Sequence, residues 1–576
     1  MKQMLSYLKG YRKETILAPS FKMLEAFFDL IVPLVMASII NIGIASNDKK
    51  YILIRCSILA LLAIVGLVCS ITAQYFASKA AVGYATGLRS ALFSHIQSLG
   101  FSEMDTLGTS TLITRMTSDV NQVMNGINMF LRLFLRSPFI VFGSLILAFG
   151  INVKAALVFV VVIPLLAIVV FGIILYTMPL YRKVQGKLDQ IMGITRENLS
   201  GVRVIRTFNK EQSEVSRFET ANSLFAHLQI KVGRLSGLMN PLTYILINLA
   251  IIALLYTGSI SINIGTLKQG DVIALVSYMS QILIELVKLA NLIILMTKAV
   301  ACAGRINTVF QTKPTMEFGK SGGIEMTDEK VAVEFTQVSL AYKEAGENSL
   351  NDINFRALCG QTIGIIGGTG SGKSSLVHLI PRFYDATSGS VTLFGKSVKD
   401  YSKKELRNFV GIVLQKAVLF KGTIRSNLLW GNENATEEDL WQALELAQAK
   451  DFVKDKKYGL DDPVEQGGRN LSGGQKQRLT IARALVKKPK ILILDDSASA
   501  LDYATDAELR KALLTLPGSI TVFIVSQRAS SLMHSDQILV LEDGSLVGIG
   551  THQELLKECD VYKEIYESQQ RNGGDQ

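Results

Sequence analysis

Six stretches of the chain are long and apolar enough to cross a bilayer, which takes ~20 mostly apolar residues. They fall near 16–44, 52–80, 137–153, 155–181, 235–262 and 272–297, and the run 155–181 contains no charged residue. One such stretch reads equally well as a buried core helix; six within the first 300 residues read as a membrane domain. Residues 1–14 alternate apolar and basic positions, which predicts an interfacial helix lying on the membrane before the first crossing. The gaps at 45–51, 154 and 263–271 are short, whereas 81–136 and 182–234 each exceed fifty residues and stay polar. Each long gap has room for two helical arms of roughly 25 residues, ~38 Å long at 1.5 Å per residue. Beyond Lys298 the pattern changes. Residues 311–327 carry Pro and Gly without an apolar run and read as a linker. From about 328 short β-rich runs (VAVEF, TIGIIG, NFVGIVLQ, ILILDD, ITVFIVS) alternate with helical patterns. The expected organisation is an α-helical membrane domain of six crossings with long extensions (1–310), a linker (311–327) and an α/β domain (328–576).

Composition sharpens this picture. Of 576 residues, 49% are hydrophobic and 19% charged. That apolar content excludes a disordered chain, and the charged share falls below the about 25% of ordinary soluble domains. The net charge of +11 first suggests nucleic acid or an anionic membrane surface. It divides unevenly: residues 1–327 hold 30 Lys+Arg and 16 Asp+Glu (+14), and residues 328–576 hold 30 and 33 (−3). The excess therefore belongs to the membrane half, and nothing points to nucleic acid. Only Lys49, Lys50, Arg55, Lys154 and Lys268 fall at the short-gap side, so the positive-inside rule makes the long gaps, both termini and the α/β domain cytoplasmic. The cysteines (Cys56, Cys69, Cys302, Cys359, Cys559) are odd in number and form no CxxC, which argues against a disulfide framework or a zinc site.

The α/β half carries recognisable chemistry. Gly367-Gly368-Thr369-Gly370-Ser371-Gly372-Lys373-Ser374 follows the strand-like TIGIIG and opens a helical run, with Ser375 next. In that context the pattern is a P-loop: glycines let backbone N–H groups turn onto phosphate oxygens, Lys373 reaches the β/γ-phosphates, and the Ser374 hydroxyl suits Mg²⁺. Lys490-ILIL-Asp495 is an apolar strand ending in a carboxylate, a Walker B element whose Asp495 would hold Mg²⁺. ATP and Mg²⁺ are the expected cofactors.

The run Leu471-Ser472-Gly473-Gly474-Gln475, followed by KQRLTIARAL, narrows the class. It resembles the signature motif of ATP-binding cassette (ABC) proteins, which in that family acts across a dimer on ATP held by the other cassette. Tyr342 stands where the family has its adenine-stacking aromatic, Gln415 resembles the Q-loop glutamine that reaches Mg²⁺, and Ser499-Ala500-Leu501-Asp502 resembles the D-loop. The stretches 101–120 and 197–208 resemble the family's cytoplasmic extensions, so the resemblance covers essentially the whole chain. It implies an ABC exporter half-transporter.

Three positions depart from the family pattern. The glutamate expected after Walker B, which polarises the attacking water, is Asp496, one methylene shorter. The switch histidine is Gln527, which donates a hydrogen bond but does not ionise to a cation. A glutamate expected before the signature is Gln466, beside Glu465. Asp496 and Gln527 would serve the composite site on this chain's own P-loop, whereas the signature, which serves the other site, is intact. That asymmetry resembles the degenerate-site subunit of heterodimeric multidrug exporters. It implies a second half-transporter chain that carries the catalytic Glu and the switch His.

Substrate clues are few. Glu25 and Asp29 lie i,i+4 in the first crossing, and Glu285 and Lys288 lie i,i+3 in the sixth. Membrane-embedded charges mark functional interiors or form structural pairs. Unpaired acids in a cavity would suit cationic amphiphilic drugs. The functions to weigh are export of drug-like or amphiphilic small molecules, lipid flipping or peptide export, and an ATP-gated membrane sensor.

Overall fold

The structure is a computed structural model that describes residue 4 and residues 6–319, 330–343, 346–497, 501–514 and 520–573. Its contacts divide the chain into two units, Met1–Gln97 with Ser110–Thr312, and Ser98–Thr109 with Lys313–Gln576. The chain thus passes between units at three points, because a short piece of the first long gap groups with the α/β unit rather than with the helices on either side of it. Positions 320–327 of the expected linker, and 1–3 and 5 of the expected interfacial helix, lie outside the described residues.

The first unit is helical. A 3₁₀ turn, Ser6–Tyr11, runs into α1 (Arg12–Ser38) and a π-turn, Ile39–Ile44; α2 (Lys49–Ser98) follows. The short helix α3 (Phe101–Leu107) belongs to the other unit. The chain then returns through α4 (Thr109–Thr114), α5 (Val120–Leu133), α6 (Arg136–Ile151), α7 (Val153–Ser200), α8 (Val202–Thr207), α9 (Glu211–Gly237), α10 (Met239–Asn263) and α11 (Gln269–Gln311). Among the described residues, six helical stretches are long and apolar enough to cross a membrane, and they run 39 to 53 residues, far beyond the ~20 a crossing needs. The longest, Glu211–Asn263, is α9 running on into α10.

The sequence reading places one short gap at residue 154; the break is two residues earlier. Asn152 is extended, and its Oδ1 accepts from the Ala155 N–H at 3.0 Å, capping α7. Lys154 is therefore inside the first helical turn. Packing within the unit uses small residues where helices approach closely: Ala26, Ala148, Ala155, Ala156, Ala250 and Ala274 are all buried with Phe159, Leu254 and Met279. The buried Tyr278 hydroxyl donates to the Leu30 carbonyl at 2.7 Å, tying α11 to α1.

The second unit contains two main sheets. In chain order the strands are β1 (Val331–Leu340), β2 (Leu350–Leu358), β3 (Thr362–Gly367), β4 (Ser388–Leu393), β5 (Lys396–Ser397), β6 (Val410–Val413), β7 (Gly422–Thr423), β8 (Pro463–Val464), β9 (Ile491–Asp495), β10 (Thr521–Val525), β11 (Gln537–Glu542) and β12 (Ser545–Gly550). One sheet is antiparallel, ordered β2-β1-β4-β5; the other, ordered β12-β11-β3-β10-β9-β6, is parallel except for β12. Its central strands are buried on both faces. Ile491, Ile493, Phe523 and Leu539 join one core with Phe335 and Phe355, and the alternate Leu492, Leu494, Val522 and Val540 join the other. Parallel strands end at one edge, and there β3 and β9, on either side of β10, deliver the P-loop and Asp495.

Candidate functional site

The P-loop leaves β3 at Gly367 and closes on α12 (Lys373–Leu379). Gly370 and Gly372 hold φ of +87° and +92°, a region glycine enters without steric penalty, and a β-carbon on Gly372 would come within 2.6 Å of the Ser349 carbonyl. The Lys373 ammonium donates to the carbonyls of Gly367 (3.0 Å) and Gly368 (2.5 Å) and to Ser371 Oγ at 3.4 Å. Burial holds it below the ordinary lysine value, against the pull of Asp496 and Asp495. The Ser374 hydroxyl donates to Asp495 Oδ1 at 2.9 Å, so the two oxygens suited to a shared cation are adjacent. His378, one turn on, places Nε2 3.5 Å from Asp495 Oδ2.

A cleft of about 250 Å³ is lined by Thr369, Gly370, Gly372, Lys373, Ser374 and Ser375 from the loop, and by Gln415, Asp496 and Gln527 from elsewhere. Its lining fits a triphosphate chain with a divalent cation: backbone donors and one ammonium on one side, a hydroxyl and carboxylates on the other. Asp496 Oδ2 accepts from Gln415 Nε2 at 3.2 Å. Its backbone has φ of +46°, a left-handed conformation that aspartate tolerates better than most residues. Burial and the neighbouring Asp495 push its carboxyl above the ordinary aspartate value, against the Gln415 bond. Gln527 is steadied through its backbone, whose carbonyl accepts from Gln569 Nε2 at 2.7 Å. Tyr342 stands beside the cleft, its hydroxyl donating to Ser375 Oγ at 2.9 Å.

Other residues singled out in the sequence lie outside this cleft. Ser472 caps α13 (Gly473–Val486): its Oγ accepts from Gln475 N at 3.2 Å, and Gln475 Oε1 accepts from Ser472 N at 3.1 Å. Leu471 is buried below this cap, and a β-carbon on Gly473 would meet nothing within 4 Å. Asp502 caps α14 (Tyr503–Leu514), accepting from Thr505 Oγ1 at 2.8 Å. Ser499 and Ala500 lie outside the described residues.

Of the two readings of the membrane charges, the structure shows pairing, including Glu285 with Lys288. Arg136, not singled out in the sequence, joins them: Nη2 binds Asp29 Oδ2 at 2.8 Å and lies 3.8 Å from Glu25 Oε1, and Nη1 binds Glu285 Oε1. Lys22 holds Glu25 at 2.6 Å, while Ser137 and Lys288 hold Glu285 at 2.7 and 2.9 Å. Three carboxylates thus meet three bases, and the cluster is neutral. Its signal in the sequence is an arginine at the very start of an apolar run, which reads equally as a positive-inside charge.

A P-loop cassette with a carboxylate-ended strand, on one polypeptide with six long apolar helices, defines a membrane-transport ATPase. The chain belongs to the ABC transporter family. Residues 15–286 match the ABC transporter transmembrane region and residues 350–499 the ABC transporter family. It is 37% identical over 575 residues to the uncharacterised ABC transporter ATP-binding protein YfiB of Bacillus subtilis, covering 99% of this chain and 98% of that one. It is 32% identical to B. subtilis YgaD, named for multidrug export, over 99% of this chain and 100% of that one. It is also 32% identical to an ATP-dependent lipid A-core flippase of Desulfotalea psychrophila, over 83% of each. The fold is that of a bacterial Atm1-family ABC exporter solved with ATP bound (TM-score 0.79, 22% identity, 97% of this chain and 98% of that one).

Proposed function

We propose that this chain is the degenerate-site half of a heterodimeric exporter in the cytoplasmic membrane, with both termini and the ATP-binding unit on the cytoplasmic side. Its cargo is drug-like, hydrophobic or amphiphilic. The observation that carries this reading is the meeting of Asp496 and Gln527 in one cleft with Lys373 and Ser374. Each is a shortened or non-ionising substitute, and both serve the same site. Bound Mg-ATP supplies the phosphoryl group and a cation that neutralises its charge. Lys373 would hold phosphate oxygens, and Ser374, Asp495 and Gln415 would hold Mg²⁺. Asp496 would orient water poorly, since general-base catalysis depends on geometry first and is typically worth ~10²–10⁴ in rate. The capped signature from Leu471 to Gln475 would complete the partner's site, where the partner supplies Glu and His.

The test is reconstitution of the chain alone and with a half-transporter that carries Glu and His at the matching positions. The pair should hydrolyse ATP with cargo stimulation and move cargo vectorially in vesicles, and the single chain should hydrolyse slowly. Ordinary exporter rates from the single chain would sink the heterodimer reading. Cargo-stimulated hydrolysis without vectorial transport would favour a sensor. The relative named as a flippase favours lipid-like cargo as the second reading.

A further inference from the structure

The neutral charge cluster of the membrane unit is saturated in charge but not in hydrogen bonds. Lys22, Glu25 and Asp29 share one face of α1, and Gln281, Glu285 and Lys288 share one face of α11, with Arg136 between them. Two buried atoms in this group have no partner among the described residues: Gln281 Oε1, an acceptor, and Arg136 Nε, a donor. Asp29 uses only Oδ2, toward Arg136, and the Lys288 ammonium uses one of its three donors, toward Glu285. These last two side chains are also the open ones, 42% and 41% exposed against 13% or less for the other charged members. Unmet polar groups at membrane depth are costly, so each calls for an occupant.

Asp29 and Lys288 put one negative and one positive charge at the accessible edge, while Gln281 Oε1 and Arg136 Nε are buried. From this balance we infer that the cluster is a subsite for an amphiphile whose headgroup is zwitterionic. Its cationic end meets the Asp29 carboxylate, and its anionic end meets the Lys288 ammonium. A lone cation or anion would leave the cluster with net charge in a low-dielectric setting, whereas a zwitterion keeps the sum at zero. This inference deepens the exporter reading, and rests on it in calling the ligand cargo.

Binding is measured directly on the full chain in phosphatidylglycerol nanodiscs, by thermophoresis with three probes of one chain length: dodecylphosphocholine, dodecyltrimethylammonium and dodecyl phosphate, all below micellar concentration. The zwitterion should bind at least about tenfold more tightly than either ion, the value of one charge-assisted contact. Asp29→Asn should weaken it about tenfold and raise affinity for dodecyl phosphate, and Lys288→Gln should shift the preference toward dodecyltrimethylammonium. Both positions are half-exposed, and melting curves of each variant report folding separately. Equal binding of zwitterion and cation, or an unchanged ranking in both variants, would overturn the inference and leave water as the occupant. Repeating the titration in discs that contain phosphatidylcholine separates the sources: competition identifies a membrane lipid, and unchanged affinity identifies a free amphiphile. Ranked binding without vectorial transport would remove the exporter reading and keep the subsite; transport without the ranking would do the reverse.

Discussion

The Tyr384 hydroxyl donates to Asp105 Oδ2 at 2.6 Å, linking the short helix α3 to the segment that follows the P-loop helix. Phe101 of the same helix stacks on Phe383 with ring centroids 4.3 Å apart. Tyr342 meets Tyr384 edge-on at 5.0 Å, and the Tyr342 hydroxyl is bonded to Ser375. Residues 98–109 are therefore tied through Tyr384 and Tyr342 to Ser375 at the cleft, although the chain on both sides of them belongs to the membrane unit. Asp105 is exposed, so the bond itself should contribute about 1 kcal/mol. A double-mutant cycle of Tyr384→Phe and Asp105→Asn, read by thermal unfolding, should return a coupling of that size. Phe101→Ala should cost more, about 2 kcal/mol, because it removes the stacked pair and its apolar burial. Additive effects of Tyr384→Phe and Asp105→Asn would rule out the link.

Glu103, two residues before Asp105, gives this region a pH dependence. It is buried and accepts from Gly100 N at 2.8 Å, Thr315 Oγ1 at 2.5 Å and Thr315 N at 3.2 Å. Burial alone would raise its carboxyl, but these hydrogen bonds outweigh burial and hold it below the ordinary glutamate value of 4.5. A depressed carboxyl contributes stability that is fully present above its unfolded value and lost as pH falls through the folded one. The wild type should melt higher than Glu103→Gln by a constant margin above about pH 5. That margin should shrink as the pH drops below 4.5. Melting curves of the two proteins from pH 7 to 3.5 check this, and a margin that widens in acid would contradict it.

Asp496 and Gln527 predict a gain of function. Asp496→Glu lengthens the carboxylate, and Gln527→His restores an ionisable donor. In the proposed heterodimer, with the second site silenced, the double variant should raise phosphate release by roughly 10²-fold or more, within the range of general-base catalysis. The gain will be limited by the backbone, since φ at 496 is +46° and a glutamate enters that region less readily than aspartate. Single-turnover phosphate release in the reconstituted pair is the measurement, and unchanged rates would refute the geometric account of this site.

Much of this arrangement was legible in the sequence because it depends on runs and spacings. Ile491–Asp495 reads as a buried strand from its unbroken apolar run, and Lys373 and Ser374 read as phosphate and cation ligands from their offset to the glycines. The six apolar stretches match the six long helices. Pairings between distant residues were not legible. Arg136 and Glu285 are 149 positions apart, and nothing local to either announces the other. Strand β2 alternates apolar positions with Asn, Asp and Arg, because one face of it is exposed, and so lacks the continuous apolar run that marks the strands of the parallel sheet. The allegiance of Ser98–Thr109 to the α/β unit rests on the contacts of Phe101, Glu103 and Asp105, each with a partner more than 200 residues away.

Arg136 offers the sharpest stability test in the membrane unit. It is the only described base that reaches both Asp29 and Glu285, and its side chain is 11% exposed. Removing one partner from a buried ionic group strands the opposing charges, which typically costs 3–5 kcal/mol, whereas replacing the whole group by apolar residues of similar volume is often neutral. Arg136→Gln should therefore lower the melting temperature of the chain in nanodiscs sharply. Arg136→Met combined with Glu285→Leu and Asp29→Asn should recover most of that loss, because no unpaired carboxylate remains beside the methionine. If the triple variant melted no higher than Arg136→Gln, the cluster would be held by shape and packing rather than by charge, and the assignment of Arg136 as its hub would have to be abandoned.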